Sequence, residues 1–142
     1  RGIRGLGAAR VNRYGLEMVE GVTRAQDETI VVVQAETAAA VTNIEAITKV
    51  PNLDAVIIGP YDLSASLGHP GKIDHPHVKE SIVRIAEVCR ETAVRTGIFA
   101  LNATGLKASS EAGFTLLAAG IDTILLGKGA VNLLNDLRKE IV

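Results

Sequence analysis

Apolar positions along the chain follow two rhythms. Short, β-branched runs over residues 29–36, 55–59, 98–101 and 114–119 predict strands. Between them, apolar residues return every three or four positions, the period of a helix. Leu16, Val19 and Val22 predict one helix within 13–27. Val41, Ile44 and Ile47 predict a second over 38–50, with Thr37 able to cap it. Val78, Ile82, Ile85, Cys89 and Thr92 line one side of a long helix over 76–96. Lys79, Glu80, Arg84, Glu87 and Glu91 cover its other side, Pro76 opens it and Gly97 is expected to close it at the C′ position. A shorter helix over 106–112 ends at Gly113. Asp122 can cap a last helix to about residue 140, although the run "DTILLG" also reads as strand. Residues 60–74 read as a loop.

Strand–helix alternation with a period of about 25 to 35 residues predicts a parallel sheet with crossover helices. The strands are almost wholly apolar, as strands covered on both faces should be. Two α/β architectures fit: an open doubly wound sheet, or part of a (β/α)₈ TIM barrel. Four βα units are half of a barrel.

Composition narrows the function classes. The chain has 142 residues, 47% of them hydrophobic, which suits one soluble globular unit with a sizeable core. A formal net charge of −1 and 3% aromatic residues argue against nucleic acid or an anionic membrane as partner. No apolar run approaches the roughly 20 residues that span a bilayer. Cys89 is the single cysteine, so no internal disulfide is expected and a reducing, cytoplasmic location is. The opening "RGIRGLG" has no apolar segment of the kind a signal peptide carries. It also lacks an initiator Met, which raises the expectation that the chain is a fragment.

In parallel α/β folds, ligand sites lie at the C-terminal ends of the strands. Strand alternation puts Gln34 and Glu36 on one face at the mouth of the first strand. Asp62 holds the corresponding place after the second, and shares a face with Val56 and Ile58 if 55–62 stays extended. Adjacent strands lie about 4.8 Å apart. Two carboxylates at neighbouring mouths repel unless a cation or shared proton lies between them. Two carboxylates with open positions suit Mg²⁺ or Mn²⁺, whereas one Cys and scattered His are poor material for structural zinc. Spacing alone leaves a second reading open, in which Glu36 and Asp62 cap the helix and turn that follow them. Gly59 and Pro60 tighten the backbone before Asp62, and Ser64 and Ser66 offer donors where an anion could bind; an ordinary strand-to-helix loop fits equally. Arg4 and Arg10, which flank Gly-rich backbone, can hold an anion or lie in a solvated loop. Cys89 reads as core. "GKG" at 127–129 lacks the first Gly and the Ser or Thr of a phosphate-binding loop.

The stretches "VVVQAETAAAVTNIEAI" and "LDAVIIGPYDLSASLG", with the "HPHV" that follows, resemble the HpcH/HpaI aldolases, metal-dependent class II pyruvate aldolases. "RGIRGLGAAR" is similar to that family's Arg-Gly-x-Arg-Gly loop, and "AGIDTILL" to its closing segment. The resemblance implies the second half of a (β/α)₈ barrel, spanning 1–142 as a single partial domain and corresponding to strands five to eight. It implies Glu36 and Asp62 as metal ligands, Gln34 beside the substrate, and backbone around Tyr61 and Asp62 at the pyruvate carboxylate. Arg4 matches a family Arg near the active site.

The implied reaction is retro-aldol cleavage of a 4-hydroxy-2-oxo acid to pyruvate and an aldehyde, through a pyruvate enolate stabilised by Mg²⁺ or Mn²⁺, with Co²⁺ also compatible. The family is usually oligomeric, so a homo-oligomer is expected. Its catalytic His and pyruvate-binding Arg belong to the first half of the barrel. Neither matches a residue here, so the isolated chain is expected to be weak or inactive. His69, His75 and His77 do not match that base and read as exposed or capping residues. A citryl- or malyl-CoA-type lyase of the related pyruvate-binding barrels is the alternative enzyme. A non-catalytic half-barrel assembly module is the alternative outside enzymes.

Overall fold

The computed structural model describes residues 5–141. The chain divides into two compact units, Arg1–Ile30 and Val31–Val142. In the first, a 3-10 helix at Arg10–Gly15 precedes α1, Met18–Glu28. Asn12, 4% exposed, organises the Gly-rich segment. Its Nδ2 donates to the Gly7 carbonyl at 2.7 Å, and its Oδ1 accepts from Ala9 N–H at 2.9 Å and Gly15 N–H at 3.2 Å. α1 starts later than its apolar spacing predicts, so Leu16 precedes it, and Leu16, Val19 and Val22 are all exposed.

The second unit is built on four parallel strands: β1 Val32–Ala35, β2 Ala55–Ile58, β3 Arg95–Ala100 and β4 Leu116–Ala119. They lie side by side in sequence order. Register pairs Ala35 with Ile58, and Ile58 with Ile98. The mouths of β1 and β2 are therefore level. Helices follow each strand: α2 Ala38–Thr42 and α3 Ile44–Ile47, α4 Pro60–Ser66 and α5 Pro76–Glu91, α6 Ala103–Glu111, and α7 Asp122–Ile141. This is α/β architecture with the four parallel strands of half a (β/α)₈ barrel, each followed by one or two helices.

Burial follows the pleat. Ala35, Val56, Ile58 and Ile98 pack with Ile44, Leu63, Ile85, Val88 and Cys89 to form the core between sheet and helices. The other pleat face is open on β1, where Val32 and Gln34 are exposed. The expectation of strands covered on both faces therefore fails at the edge strand β1, whereas β2 and β3 bury consecutive residues, Ala55 with Val56 and Thr96 with Gly97. Burial pushes the Cys89 thiol above its ordinary value, against a smaller opposing effect of a hydrogen bond with Thr96. That environment is the inert core thiol expected from its helix face.

Three predicted boundaries move. The long helix ends at Glu91 rather than near 96, and Gly97 lies inside β3. The C′ position belongs to Ala93, at φ 58°. Ala93 N–H donates to Arg90 O, and Val94 N–H to Cys89 O, the two bonds of a Schellman ending. The helix predicted over 38–50 breaks at Asn43, whose Nδ2 donates to the Ala39 carbonyl at 2.8 Å. Residues 60–66, read as loop, form α4, because Gly59 serves as N-cap and Pro60 supplies a preset first helical φ. At the C-terminus the helical reading wins over strand: α7 runs twenty residues, with "GKG" inside it.

Candidate active site

The level mouths of β1 and β2 bring Glu36 and Asp62 to one place. Glu36 is the first residue beyond β1, half-buried, and Gly59 the first beyond β2. A Cβ built on Gly59 would lie 3.1 Å from Glu36 Oε2 and 3.7 Å from Asp62 Oδ2. The two oxygens are thus no more than 6.8 Å apart, the sum of those distances. The missing side chain of Gly59 is the space between them.

Asp62 reaches this place by a different route from the one its spacing implied. The chain does not stay extended from 55 to 62. It turns into α4, and Asp62 stands in the first helical turn. There the helix dipole favours a negative charge.

The capping alternative is answered by the local bonds. Thr37 caps α2, its Oγ1 accepting from Ala40 N–H at 3.1 Å, which leaves Glu36 without that task. α4 has no side-chain cap at all. Among the described residues neither carboxylate accepts a hydrogen bond or forms an ion pair. Tyr61 and Asp62 N–H groups, in the first turn behind Pro60, likewise have no acceptor among the described residues.

Ser64 and Ser66 are committed within the fold rather than open to an anion. Ser64, fully buried, donates from Oγ to the Tyr61 carbonyl at 2.6 Å and accepts from Gly71 N–H at 3.0 Å. Ser66 Oγ accepts from Ala38 N–H at 2.9 Å. Gln34 is exposed on β1 opposite Ile57. Beside Tyr61 and Asp62 opens a cavity of about 290 Å³, whose other walls are Phe99, Leu101, Ile121 and Ile124. Those four apolar residues were not singled out in the sequence. They come from two separate elements, and only folding makes them neighbours.

The three histidines gather between α4 and the first turn of α5. His69 and His75 stack with ring centroids 3.5 Å apart, and His77 meets His69 edge-on at 6.2 Å. His75 caps α5, accepting at Nδ1 from His77 N–H at 3.3 Å. Among the described residues no three His, Cys, Asp or Glu side chains are grouped to hold a metal ion. Two carboxylates facing a small open space are nevertheless a donor set that suits a hard cation, since Mg²⁺ takes one or two protein carboxylates and fills its shell with water and substrate oxygens. Arg4 lies outside the described residues, and Arg10 is exposed in the first unit. No helix among the described residues is long and apolar enough to cross a membrane.

Comparison with known proteins sets this geometry in context. Residues 4–128 match the family model described as HpcH/HpaI aldolase/citrate lyase. The chain is 40% identical over 131 residues to a hydroxypyruvate/pyruvate aldolase of Sagittula stellata, covering 92% of this chain and 51% of that protein. It is 40% identical over 127 residues to a 4-hydroxy-2-oxovalerate aldolase of Rhodococcus jostii, covering 89% of this chain and 49% of that one. Among solved structures it is similar to an HpcH/HpaI aldolase/citrate lyase family protein from Burkholderia cenocepacia, with a TM-score of 0.86 and 33% identity over 96% of this chain and 53% of the other. The chain spans about half the length of the curated relatives it matches.

Proposed function

The chain belongs to the HpcH/HpaI aldolase/citrate lyase family, and from that premise we propose that it supplies the carboxylate side of a metal-dependent lyase site. The substrate class is a 4-hydroxy-2-oxo acid, cleaved to pyruvate and an aldehyde. The observation that carries the reading is the approach of Glu36 and Asp62 to the Cβ-free face of Gly59, with neither carboxylate bonded to another side chain among the described residues.

Glu36 and Asp62 are the residues that would hold a divalent cation, Mg²⁺ or Mn²⁺ by their hard oxygen donors. When bound, such a cation supplies Lewis acidity to the 2-oxo group of the substrate. The chain's own groups do the rest of the positioning. The N–H groups of Tyr61 and Asp62 point their unused donors out of the first turn of α4, where the substrate carboxylate can accept them. Gln34, on the open face of β1, is the polar side chain that would stand beside the substrate. The open hollow next to Asp62 gives the site one apolar side, at Phe99, Leu101, Ile121 and Ile124. On this reading the proton-transferring base is none of His69, His75 and His77, because these pack on one another and on the start of α5.

The test is calorimetric titration of Mn²⁺ into the protein without substrate, together with pyruvate release from 4-hydroxy-2-oxo acids by the full-length protein. Glu36→Gln and Asp62→Asn should each weaken Mn²⁺ binding by at least about tenfold, because each removes one of two anionic ligands. Wild-type affinity in both variants would overturn the site. Cleavage of citryl-CoA in preference to 4-hydroxy-2-oxo acids would overturn the substrate class.

A further inference from the structure

Glu36 and Asp62 belong to separate strand–helix units, and parallel pairing fixes their backbones only as far as Ala35 and Ile58. Beyond those residues the chain turns away into α2 on one side and α4 on the other. The two carboxylates sit in this diverging region. What holds them at a working distance must therefore act past the strand ends.

One hydrogen bond does so. Ser66 Oγ accepts from Ala38 N–H at 2.9 Å, across 28 residues of sequence. Ala38 is two residues beyond Glu36 and opens α2. Its N–H is one of the donors that a helix start leaves without an internal partner. Thr37 Oγ1 serves Ala40 N–H, and the Ala38 N–H turns to Ser66 instead. Ser66 is the last residue of α4 and lies four positions after Asp62, so the two share one face of that helix. The hydroxyl thus stands one turn below the Asp62 carboxylate and grips the backbone just beyond Glu36. Ser64, two residues earlier, bonds back to Tyr61 O within α4 and ties the helix to Gly71 N–H in the following loop. Among the described residues the Ser66 bond is the one hydrogen bond from α4 that reaches the segment carrying Glu36.

We infer that Ser66 is a positioning residue for the divalent-cation site, setting the separation of Glu36 and Asp62 through Ala38 N–H. This rests on the assignment of those two carboxylates as ligands. A helix cap with no further role would lower stability and leave cation affinity alone. A positioning residue must change affinity in the absence of substrate, when no catalytic step is involved.

The experiment is Mn²⁺ titration of the full-length protein, substrate-free, followed by calorimetry and by the electron paramagnetic resonance of free Mn²⁺. Thermal melts are recorded on the same samples. Ser66→Ala should weaken Mn²⁺ binding about three- to tenfold, the scale of one lost hydrogen bond. Ser66→Thr keeps the hydroxyl and should restore affinity. Ser66→Cys, with a weak sulfur acceptor, should fall between them, and carries the same comparison if the Ala variant does not fold. Wild-type affinity in the Ala or Cys variant, alongside a lowered melting temperature, would overturn the inference and leave the ligand assignment standing. Wild-type affinity in Glu36→Gln and Asp62→Asn would remove the ligand assignment, and this inference with it.

Discussion

Glu36 Oε2 lies 3.1 Å from where a Cβ of Gly59 would be, so Gly59 is the floor on which the Glu36 carboxylate rests. The φ of Gly59 is −98°, a value any residue adopts, and so its lack of a side chain is used for space and not for backbone freedom. Gly59→Ala should leave the fold nearly as stable as before. The new methyl must push the Glu36 carboxylate by a few tenths of an ångström. Mn²⁺ affinity should fall by about tenfold, a cost of roughly 1.4 kcal/mol. Calorimetric titration of wild type and variant decides the point, and equal affinities would show that the contact is slack.

Ala93 occupies the C′ position of α5 at φ 58°, where an L side chain is strained by about 1–2 kcal/mol. Gly113 takes the corresponding place after α6 at φ 92° with no such strain. Ala93→Gly relieves the strain at the expense of a more flexible unfolded chain. The net gain should be about 0.5–1 kcal/mol, raising the melting temperature by roughly 2–4 °C. Differential scanning calorimetry reads this directly. A lower melting temperature would mean that the unfolded-state entropy outweighs the strain.

Part of this fold is readable from apolar spacing, because β2, β3 and the long helix α5 bury regularly spaced apolar positions. Val56 and Ile58, or Ile85 and Cys89, declare their side of the core through period alone. α4 does not. Its seven residues are too few to show a helical period, and its cue is the local chemistry of Gly59 and Pro60. Gly97 misled for a related reason: a glycine after a helix reads as a stop, whereas here it admits a close strand neighbour. Glu36 was legible as a strand-end carboxylate. Its freedom from capping was not, because that depends on Thr37 taking the cap. The Ser66 bond and the cavity walls at Phe99 and Ile124 join distant segments, and no local pattern encodes them. Asn12 carried a weak signal, one Asn amid glycines, and its three hydrogen bonds appear only once the loop is folded.

Gly97 faces the backbone of β4. A Cβ there would come within 2.8 Å of the Leu116 carbonyl oxygen and 2.9 Å of the Leu116 Cβ. The nearer obstacle is backbone, which cannot swing aside as a long side chain would. Gly97→Ala should therefore spread β3 from β4 and cost about 1–3 kcal/mol, the usual range for overpacking. Urea unfolding measures the loss, and the hydrogen-exchange protection of Leu117 and Ala119 amides reports whether the β3–β4 ladder is the part that loosens. Undiminished stability would show that the two strands can separate freely.

The stacked imidazoles make stability depend on acid. Desolvation, then the neighbouring His75 and His77, then Lys72, hold His69 below its ordinary pKa. A histidine lowered in the folded state binds protons more readily once unfolded. It contributes nothing at neutral pH, and protonation works against the fold as pH falls through about 6.5, the ordinary imidazole value. The penalty grows until the pH passes below the lowered folded value and then levels off. Melting temperature should therefore drop between about pH 7 and 5 by more in wild type than in His69→Gln, which keeps a polar side chain without the titration. Because the His69 backbone N–H still bonds to Ser64 O in that variant, the loop's main-chain anchor is unchanged. The proton is then the variable that differs between the two melting series, and parallel curves would show that the stack tolerates a charged ring.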